Sequence, residues 1–254
     1  MTSYKQWCEP VKVVSVGSHT VGLLVSVDDD AGIRAVAAHL PSRYAATEAL
    51  ARIAERFGKA KVSAFLRNKL PPAQGARSGD LGEILASAYL EEDCGYVVGP
   101  SRLIQRDHHE WAMRGDDVLG AKFDSASNVL LIKGEAKSRA RAAASVVKEA
   151  RESLQREDGL PSTHSLTQFA ERLLSTVDDD LGEAIIKLQL EHGVRPGNVS
   201  HLMFLFSGND PSSHVRADLT TYRGLIAQQA VILRVQAHQD FVRTAFEKAI
   251  ADGA

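Results

Sequence analysis

The chain has 254 residues, 44% of them hydrophobic and 24% charged, which is the composition of an ordinary globular protein. Its net charge of −2 excludes a protein that binds nucleic acid through overall positive charge, so any such contact needs a local basic surface. Two cysteines exclude a disulfide framework, and no apolar run approaches the roughly 20 residues of a membrane helix. We therefore expect a cytoplasmic protein without membrane contact.

The N-terminal part of the chain predicts two strands followed by helical structure. Residues 11–16 and 21–27 are rich in valine and are separated by Gly17-Ser18-His19, as expected for strands joined by a turn. The following Asp28-Asp29-Asp30-Ala31-Gly32 segment has the composition of a second turn. Between residues 45 and 68, apolar side chains recur at helical spacing and predict a helix.

A proline-rich segment, Pro71-Pro72-Ala73-Gln74-Gly75, marks the best internal boundary. We predict that residues 1–75 form a small N-terminal α/β extension with a surface for a partner protein, and that residues 76–254 form a second domain. Helices alternate there with apolar strands, which predicts an α/β fold whose mixed central sheet is flanked by helices. The predicted helices are 80–91, 140–156, 167–174, 180–190 and 240–251, and the predicted strands are 103–105, 117–123, 129–137, 199–206 and 231–235.

Two of these strands form a predicted hairpin. Their connection, Asp124-Ser125-Ala126-Ser127-Asn128, has a length that is common in hairpins. If Phe123 pairs with Val129, Asp117 lies directly opposite Glu135, and Cβ atoms in that relation are about 4.5–5.5 Å apart. Two carboxylates at such a distance can share one divalent cation.

The same register assigns positions to two further charged side chains. Lys137 is two residues beyond Glu135 and therefore projects from the same face of the strand. Asp116 projects from the opposite face in this register. A slip of one residue would exchange Asp116 and Asp117, so both aspartates remain candidates for the position opposite Glu135.

The chemistry of this group of residues follows from its charges. The carboxylates of Asp117 and Glu135 repel each other unless a cation neutralises them. Mg²⁺ prefers hard oxygen ligands and retains several waters, and a water bound to such a cation loses a proton readily and can attack phosphorus. Lys137 can orient or deprotonate this water, or stabilise negative charge on the phosphoryl oxygens. The pattern predicts a phosphodiesterase that uses Mg²⁺ or Mn²⁺.

Glu83 has two interpretations. Asp80-Leu81-Gly82-Glu83 fits a helix capping box, in which the glutamate bonds to the backbone at the start of the helix. The same pattern recurs at Asp180-Leu181-Gly182-Glu183 and favours this structural interpretation. In the alternative, Glu83 is an acid on a helix that precedes the hairpin and acts as a further metal ligand.

Two other charged groups carry weaker signals. His108 and His109 are adjacent, and neighbours on a strand point to opposite faces, so we interpret them as turn or surface residues rather than as a metal-binding pair. Arg141, Lys148 and Arg151 lie close together by helical spacing. They form either a stripe that contacts phosphates or a solvated helix face, and the sequence does not decide between these.

The combination of Asp117, Glu135-Ala136-Lys137 and a preceding helix with Glu83 resembles the PD-(D/E)XK nuclease superfamily. The resemblance implies a restriction-endonuclease-like core in which Asp117, Glu135 and Glu83 are metal ligands and Lys137 is the catalytic lysine. It implies an Mg²⁺- or Mn²⁺-dependent DNase. The superfamily has a proline before its aspartate, whereas this chain has Gly115-Asp116, so Asp116 and Asp117 still compete for the ligand position.

Three longer segments resemble one family more closely. Gly79-Asp80-Leu81-Gly82-Glu83-Ile84-Leu85, Arg114-Gly115-Asp116-Asp117-Val118-Leu119-Gly120 and Gly134-Glu135-Ala136-Lys137-Ser138 together resemble the HamA family, the nuclease subunits of Hachiman antiphage defence systems. The resemblance extends over about residues 75–240. It implies a large partner helicase, HamB, that restrains the nuclease until damaged or phage DNA is sensed.

Two other functions are compatible with these residues. One is a stand-alone restriction or repair endonuclease, and the other is a nuclease fold kept only as a DNA-binding or regulatory subunit. Because no basic patch dominates the sequence, we also predict weak DNA affinity and low activity in the absence of the partner.

Overall fold

The computed structural model describes residues 2, 4–99, 103–104 and 115–252. These residues form a seven-stranded sheet in the spatial order β1-β2-β7-β6-β5-β4-β3. Strands β2, β7, β6 and β5 are parallel to one another, whereas β1, β4 and β3 pair antiparallel with their neighbours, so the sheet is mixed as predicted. The strands are β1 Lys12–Val16, β2 His19–Val25, β3 Val97–Val98, β4 Val118–Phe123, β5 Val129–Arg139, β6 Val199–Ser207 and β7 Ala227–Arg234.

Helices cover both faces of the sheet, which confirms the predicted α/β class. Helices α1, α4 and α9 lie on one face, and α5 to α8 lie on the other. The helices are α1 Asp29–Tyr44, α2 Thr47–Phe57, α3 Lys59–Lys69, α4 Gln74–Glu92, α5 Ala144–Leu154, α6 Thr163–Leu173, α7 Asp179–Lys187, α8 Ser212–Thr221 and α9 His238–Asp252.

Strand β6 shows how alternation builds the two cores. Phe204 and Phe206 join the core beneath α1, α4 and α9, whereas Met203 and Leu205 join the core beneath α5 and α8. All four side chains are at most 1% exposed. Burying each contributes roughly 1.5–3 kcal/mol, which explains why this central strand reads as one continuous apolar run.

The N-terminal segment differs from its prediction in two ways. The turn predicted at Asp28–Gly32 is wrong, because Asp28 is the N-cap of α1 and its carboxylate accepts a hydrogen bond from the Ala31 amide at 2.9 Å. The single helix predicted over residues 45–68 is two helices, broken at Gly58, whose φ of +82° favours glycine. Strands β1 and β2 continue the sheet through β7, and the domain boundary near residue 75 stays a prediction.

Helix α4 begins earlier than predicted. Its first residue is Gln74, and Asp80 lies inside it with a side chain 3% exposed that accepts a hydrogen bond from the Tyr44 hydroxyl at 2.6 Å. The capping box at Asp80 is therefore wrong. The second capping box, predicted at Asp180, is wrong as well, because α7 begins at Asp179 and its N-cap residue is Asp178.

Two smaller predictions also need correction. The strand predicted at 103–105 is wrong for Leu103 and Ile104, which lie in a turn, and Gln105 is outside the described residues. The helix predicted from residue 140 begins only at Ala144. None of the helices in the described ranges has both the length and the apolar character needed to cross a membrane.

Candidate active site

The β4–β5 hairpin has the predicted register. Phe123 pairs with Val129, and Val118 pairs with Gly134. The connecting loop is held by the Asp124 carboxylate, which accepts hydrogen bonds from the backbone amides of Ala126 and Asn128, both at 2.8 Å.

Strand β4 starts one residue after Asp117, whereas β5 continues to Arg139. Among the described residues, the last residues of β5 therefore pair only with β6, and their other edge is open toward the site.

A cavity of about 750 Å³ lies at this open edge, and we call it the site cavity. All four residues predicted to form the active site line it, namely Glu83, Asp117, Glu135 and Lys137. Other lining residues are Gly115, Asp116, Lys133, Gly134, Ser153, Arg156, Glu157, Ser162 and His164. The carboxylates of Asp117 and Glu135 therefore face one common space and do not lie on opposite sides of the sheet.

Asp117 lies where β4 begins and faces the uncovered edge of β5. Extending the hairpin register by one residue places it opposite Glu135. Its Oδ2 accepts a hydrogen bond at 3.4 Å from the backbone amide of Ala136, a strand amide that β4 no longer reaches. The end of one strand thus positions an acidic side chain beside the continuing neighbour strand.

Glu135 and Lys137 share one face of β5 and form an ion pair. The Lys137 Nζ lies 2.6 Å from the Glu135 Oε1, and the lysine and glutamate side chains are 19% and 12% exposed. Burial, together with the negative charge of Asp117, raises the pKa of Glu135 to about 7. Lys137 and a hydrogen bond from the Ser153 side chain oppose this shift.

Glu83 reaches the site cavity from the helix layer on the other face of the sheet. Its neighbour Gly82 lets α4 pack closely on β5, because a Cβ at that position would lie only 3.2 Å from the Ser138 Cβ. Ser78, one turn earlier, bonds the Ser138 hydroxyl at 2.8 Å. Since Asp80 does not begin the helix, Glu83 is not a capping residue, and its placement in the site cavity favours the alternative interpretation.

Asp116 lies on a different side from the one predicted. Residues 115–117 precede β4 instead of continuing it, so strand alternation does not apply to Asp116. Its Oδ1 lies 3.5 Å from Lys133 Nζ, and its Oδ2 accepts a hydrogen bond from the Ser162 amide at 2.9 Å. Asp117 therefore takes the position opposite Glu135 and Asp116 pairs with Lys133, while the choice of Asp117 as the metal ligand stays a prediction.

Lys133 is a residue of the site cavity that sequence reasoning missed. Its ammonium group donates to the carbonyl oxygens of Arg156 and Leu160 at 2.8 and 2.9 Å, in addition to its ion pair with Asp116. The sequence could have indicated it, because residues 133, 135 and 137 alternate along the strand and their side chains therefore share one face.

The two Lys133 contacts hold residues 156–160, which form part of the cavity wall. Glu157 and Asp158 have left-handed φ values of 57° and 56°, which cost energy for residues other than glycine. His201 Nε2 bonds the Gly159 carbonyl at 2.7 Å from the other side, and burial lowers the pKa of His201. Lys133 and His201 together keep this strained segment in place.

Arg151 fits neither of the two interpretations of the α5 cations, a phosphate stripe or a solvated helix face. Its side chain is only 8% exposed and forms an ion pair with Asp218 at 2.7 Å. It also donates to the Gln228 side chain and stacks on the ring of Tyr222. Lys148, by contrast, is 77% exposed and pairs with Glu152 at 3.8 Å. Arg151 therefore stabilises the α5–α8 packing.

The acidic residues of the site cavity were tested for their fit to a divalent cation. Within the described ranges, no three His, Cys, Asp or Glu side chains come close enough to hold a metal ion together. Asp117 and Glu135 nevertheless offer hard oxygen donors, and their mutual repulsion helps raise the Glu135 pKa. This repulsion is what a shared cation would relieve, so the donor chemistry fits Mg²⁺ or Mn²⁺. His108 and His109 lie outside the described residues.

Fold and site together define a mixed α/β protein with an acidic, lysine-containing cavity at a strand end. The family model described as HamA matches residues 2–249, so the chain belongs to the HamA family. A relative, "Hachiman protein HamA" of Bacillus cereus, is 32% identical over 151 residues. The matched region is 59% of this chain and 53% of the relative, so the chain spans about half the length of that protein.

Proposed function

We propose that this chain is a metal-dependent DNase of a cytoplasmic Hachiman antiphage defence system, and that a partner helicase controls it. The observation that carries the proposal is the convergence of Asp117, Glu135 and Lys137, with Glu83, on one cavity at the open edge of β5. Membership of the HamA family supports the defence role. We also infer that the sheet and its flanking helices form a restriction-endonuclease-like core.

Each side chain has a proposed role. Asp117 and Glu135 would hold Mg²⁺ or Mn²⁺. Glu83 lines the same cavity but does not form a three-acid cluster with them in the described residues, so it would contribute through a water bound to the cation. The bound cation would supply a readily deprotonated water and neutralise charge on the phosphate.

Lys137 donates to Glu135 at 2.6 Å, which fixes its ammonium group at the cavity. From there it can orient the attacking water or stabilise the negative charge that develops on the phosphoryl oxygens.

The test is cleavage of plasmid DNA with Mg²⁺ or EDTA, in the presence and absence of the neighbouring helicase. We expect cleavage that requires both the cation and activation of the complex, and its loss in Glu135→Gln and Lys137→Met. Glu149→Gln and Lys187→Met are matched controls, because both side chains are more than half exposed and neither lines the site cavity. Intact plasmid under all activating conditions would contradict the proposed activity.

The same experiment separates two alternatives. A stand-alone endonuclease would cleave equally well without the helicase and would not co-purify with it. A regulatory subunit without catalysis would give full phage protection after combined Glu135→Ala and Lys137→Ala substitution. We expect co-purification with the helicase and loss of protection in that variant.

A further inference from the structure

Positive charge is concentrated in one helical hairpin of the chain. Helices α2 and α3, residues 47–69, are joined at Gly58, and we call them the basic hairpin. They carry two acidic side chains, Glu48 and Glu55, and therefore a net charge of +4, in a chain whose total is −2. The basic side chains are Arg52, Arg56, Lys59, Lys61, Arg67 and Lys69. The local basic surface that a nucleic-acid contact would require is therefore present.

The cations of the basic hairpin differ from the paired cations of helices α7 and α9. All of them except the half-buried Lys69 are exposed, and none forms an ion pair with a carboxylate in the part of the chain that the structure describes. Elsewhere, Lys187, Arg243 and Lys248 each pair with an acidic residue one helical turn away, at 3.9, 3.0 and 3.1 Å. The charge of the basic hairpin is thus not neutralised by its neighbours.

One side of the basic hairpin is anchored, which leaves the cations on the outside. Val62 and Leu66 are buried in the main core, and the Ser63 hydroxyl bonds the Ile250 carbonyl of α9 at 2.8 Å. Helix α2 has no buried residue, but Leu50 and Ile53 contact the same core. A rigid apolar inner side therefore presents a charged outer side to solvent.

The tip of the basic hairpin combines an aromatic ring with the start of a helix. Phe57 is 66% exposed next to Gly58. Helix α3 then begins with Lys59 and Lys61 and has no acidic residue in its first turn. Because no side chain caps this helix start, its dipole favours an anion there. Lysine and arginine side chains clustered on one surface are the electrostatic footprint of proteins that bind nucleic acid.

The basic hairpin is close enough to the site cavity to share one duplex with it. Lys69 is separated from Gln74 by a short link, and Ser78 of α4 bonds Ser138, the neighbour of Lys137. Chain geometry limits the distance from Lys69 to Ser78 to about 25 Å, and the length of α3 extends the limit to about 40 Å for Lys59 at the hairpin tip, from about 3.6 Å per extended and 1.5 Å per helical residue. A bound duplex of ordinary length exceeds that span.

We propose that the basic hairpin is a sequence-independent contact for the phosphate backbone of double-stranded DNA, which holds the substrate against the site cavity. The inference rests on the proposed function only in taking DNA as the ligand. Binding is carried by exposed cations, so it weakens steeply with salt, as expected for counterion release. A chain of net negative charge can therefore bind DNA at low salt and still bind it only weakly at physiological salt.

The experiment measures binding separately from hydrolysis. Fluorescence anisotropy of a labelled 30-base-pair duplex of arbitrary sequence is recorded in EDTA over a range of NaCl concentrations, with the full chain. The test variant combines Arg52→Gln, Arg56→Gln, Lys59→Gln and Lys61→Gln. The control variant removes the same number of charges from paired surface cations, through Lys12→Gln, Lys187→Gln, Arg243→Gln and Lys248→Gln. Circular dichroism verifies that both variants fold.

We expect the test variant to bind at least about tenfold more weakly than wild type at low salt, and the control to bind within about twofold. The slope of log K against log salt should become shallower by about 0.9 for each phosphate that the variant does not neutralise. Equal weakening in both variants, unchanged binding in the test variant, or no binding by wild type would overturn the proposal. So would a test variant that keeps DNA affinity but no longer co-purifies with the helicase, because the surface would then face a protein. A nuclease assay that fails while the test variant loses binding would instead count against the proposed activity.

Discussion

Strand β5 carries two buried lysine–carboxylate pairs in neighbouring positions, and they differ in kind. Lys133 pairs with Asp116 and donates to two backbone carbonyls, so its three donors are all used. Lys137 pairs with Glu135, whose pKa is about 7 because it is buried and faces another carboxylate. Buried charges that are fully hydrogen-bonded support structure, whereas an acid held beside a like charge is typical of a functional site.

The largest expected effect is a loss of activity without a loss of stability when the pair of Glu135 and Lys137 is changed. Glu135→Gln should reduce DNA cleavage by about a hundredfold to a thousandfold, the scale seen when a group that stabilises transition-state charge is removed. Stability at pH 5 should change by less than about 1 kcal/mol, because the substitution is isosteric and Glu135, with a pKa of about 7, is neutral at that pH. Cleavage assays and urea unfolding check both parts. A large loss of stability would mean that Glu135 is structural.

Lys133→Met should have the opposite signature. It leaves Asp116 buried without its cation, which costs about 3–5 kcal/mol, and it releases two carbonyls of the strained segment 156–160. Urea unfolding should show this loss, and the double variant Lys133→Met with Asp116→Asn should recover part of it. If the single variant is as stable as wild type but inactive, Lys133 takes part in catalysis. The distinction between a structural pair and a functional pair would then be wrong.

The free energy of unfolding should depend on pH through Glu135, the acid of the pair with Lys137. The folded-state pKa of Glu135, about 7, exceeds its ordinary value of 4.5, so the native state binds more protons between these values. Stability contributed by this group therefore falls as pH rises from 4.5 to 7, by on the order of 2 kcal/mol. His238, whose pKa is lowered to about 4, acts in the opposite direction. The free energy of unfolding should therefore be compared between wild type and Glu135→Gln at pH 5 and pH 7.5. A difference that does not change with pH would show that Glu135 titrates normally.

The hairpin was predictable from sequence because two local signals agree there. The apolar alternation and the five-residue loop fix the pairing of Phe123 with Val129, and that register brings Asp117 toward Glu135. The central strands β6 and β7 were recognisable from their apolar runs at residues 202–206 and 230–233, but β7 begins four residues earlier than predicted, through the polar Gln228 and Gln229.

The errors arose where tertiary contacts decide. Asp80 looks like a helix cap, but a buried bond from Tyr44 accommodates it in mid-helix. Asp116 precedes β4 and does not follow strand alternation, so the alternation rule gave the wrong side for its side chain. Its contact with Lys133 depends on this non-strand geometry. Arg151 looks like part of a basic stripe until its partners on α8 and β7 are known. None of these partners is near in sequence, so local patterns could not reveal them.

The central claim is that Asp117 and Glu135 hold a divalent cation and that Asp116 does not. Isothermal titration of the full chain with Mn²⁺ tests it directly, with Asp117→Asn and Glu135→Gln as test variants and Asp116→Asn as the matched control. The account predicts that wild type and Asp116→Asn bind the cation and that the other two variants lose binding. Undiminished binding by Asp117→Asn and Glu135→Gln, or loss confined to Asp116→Asn, would contradict it.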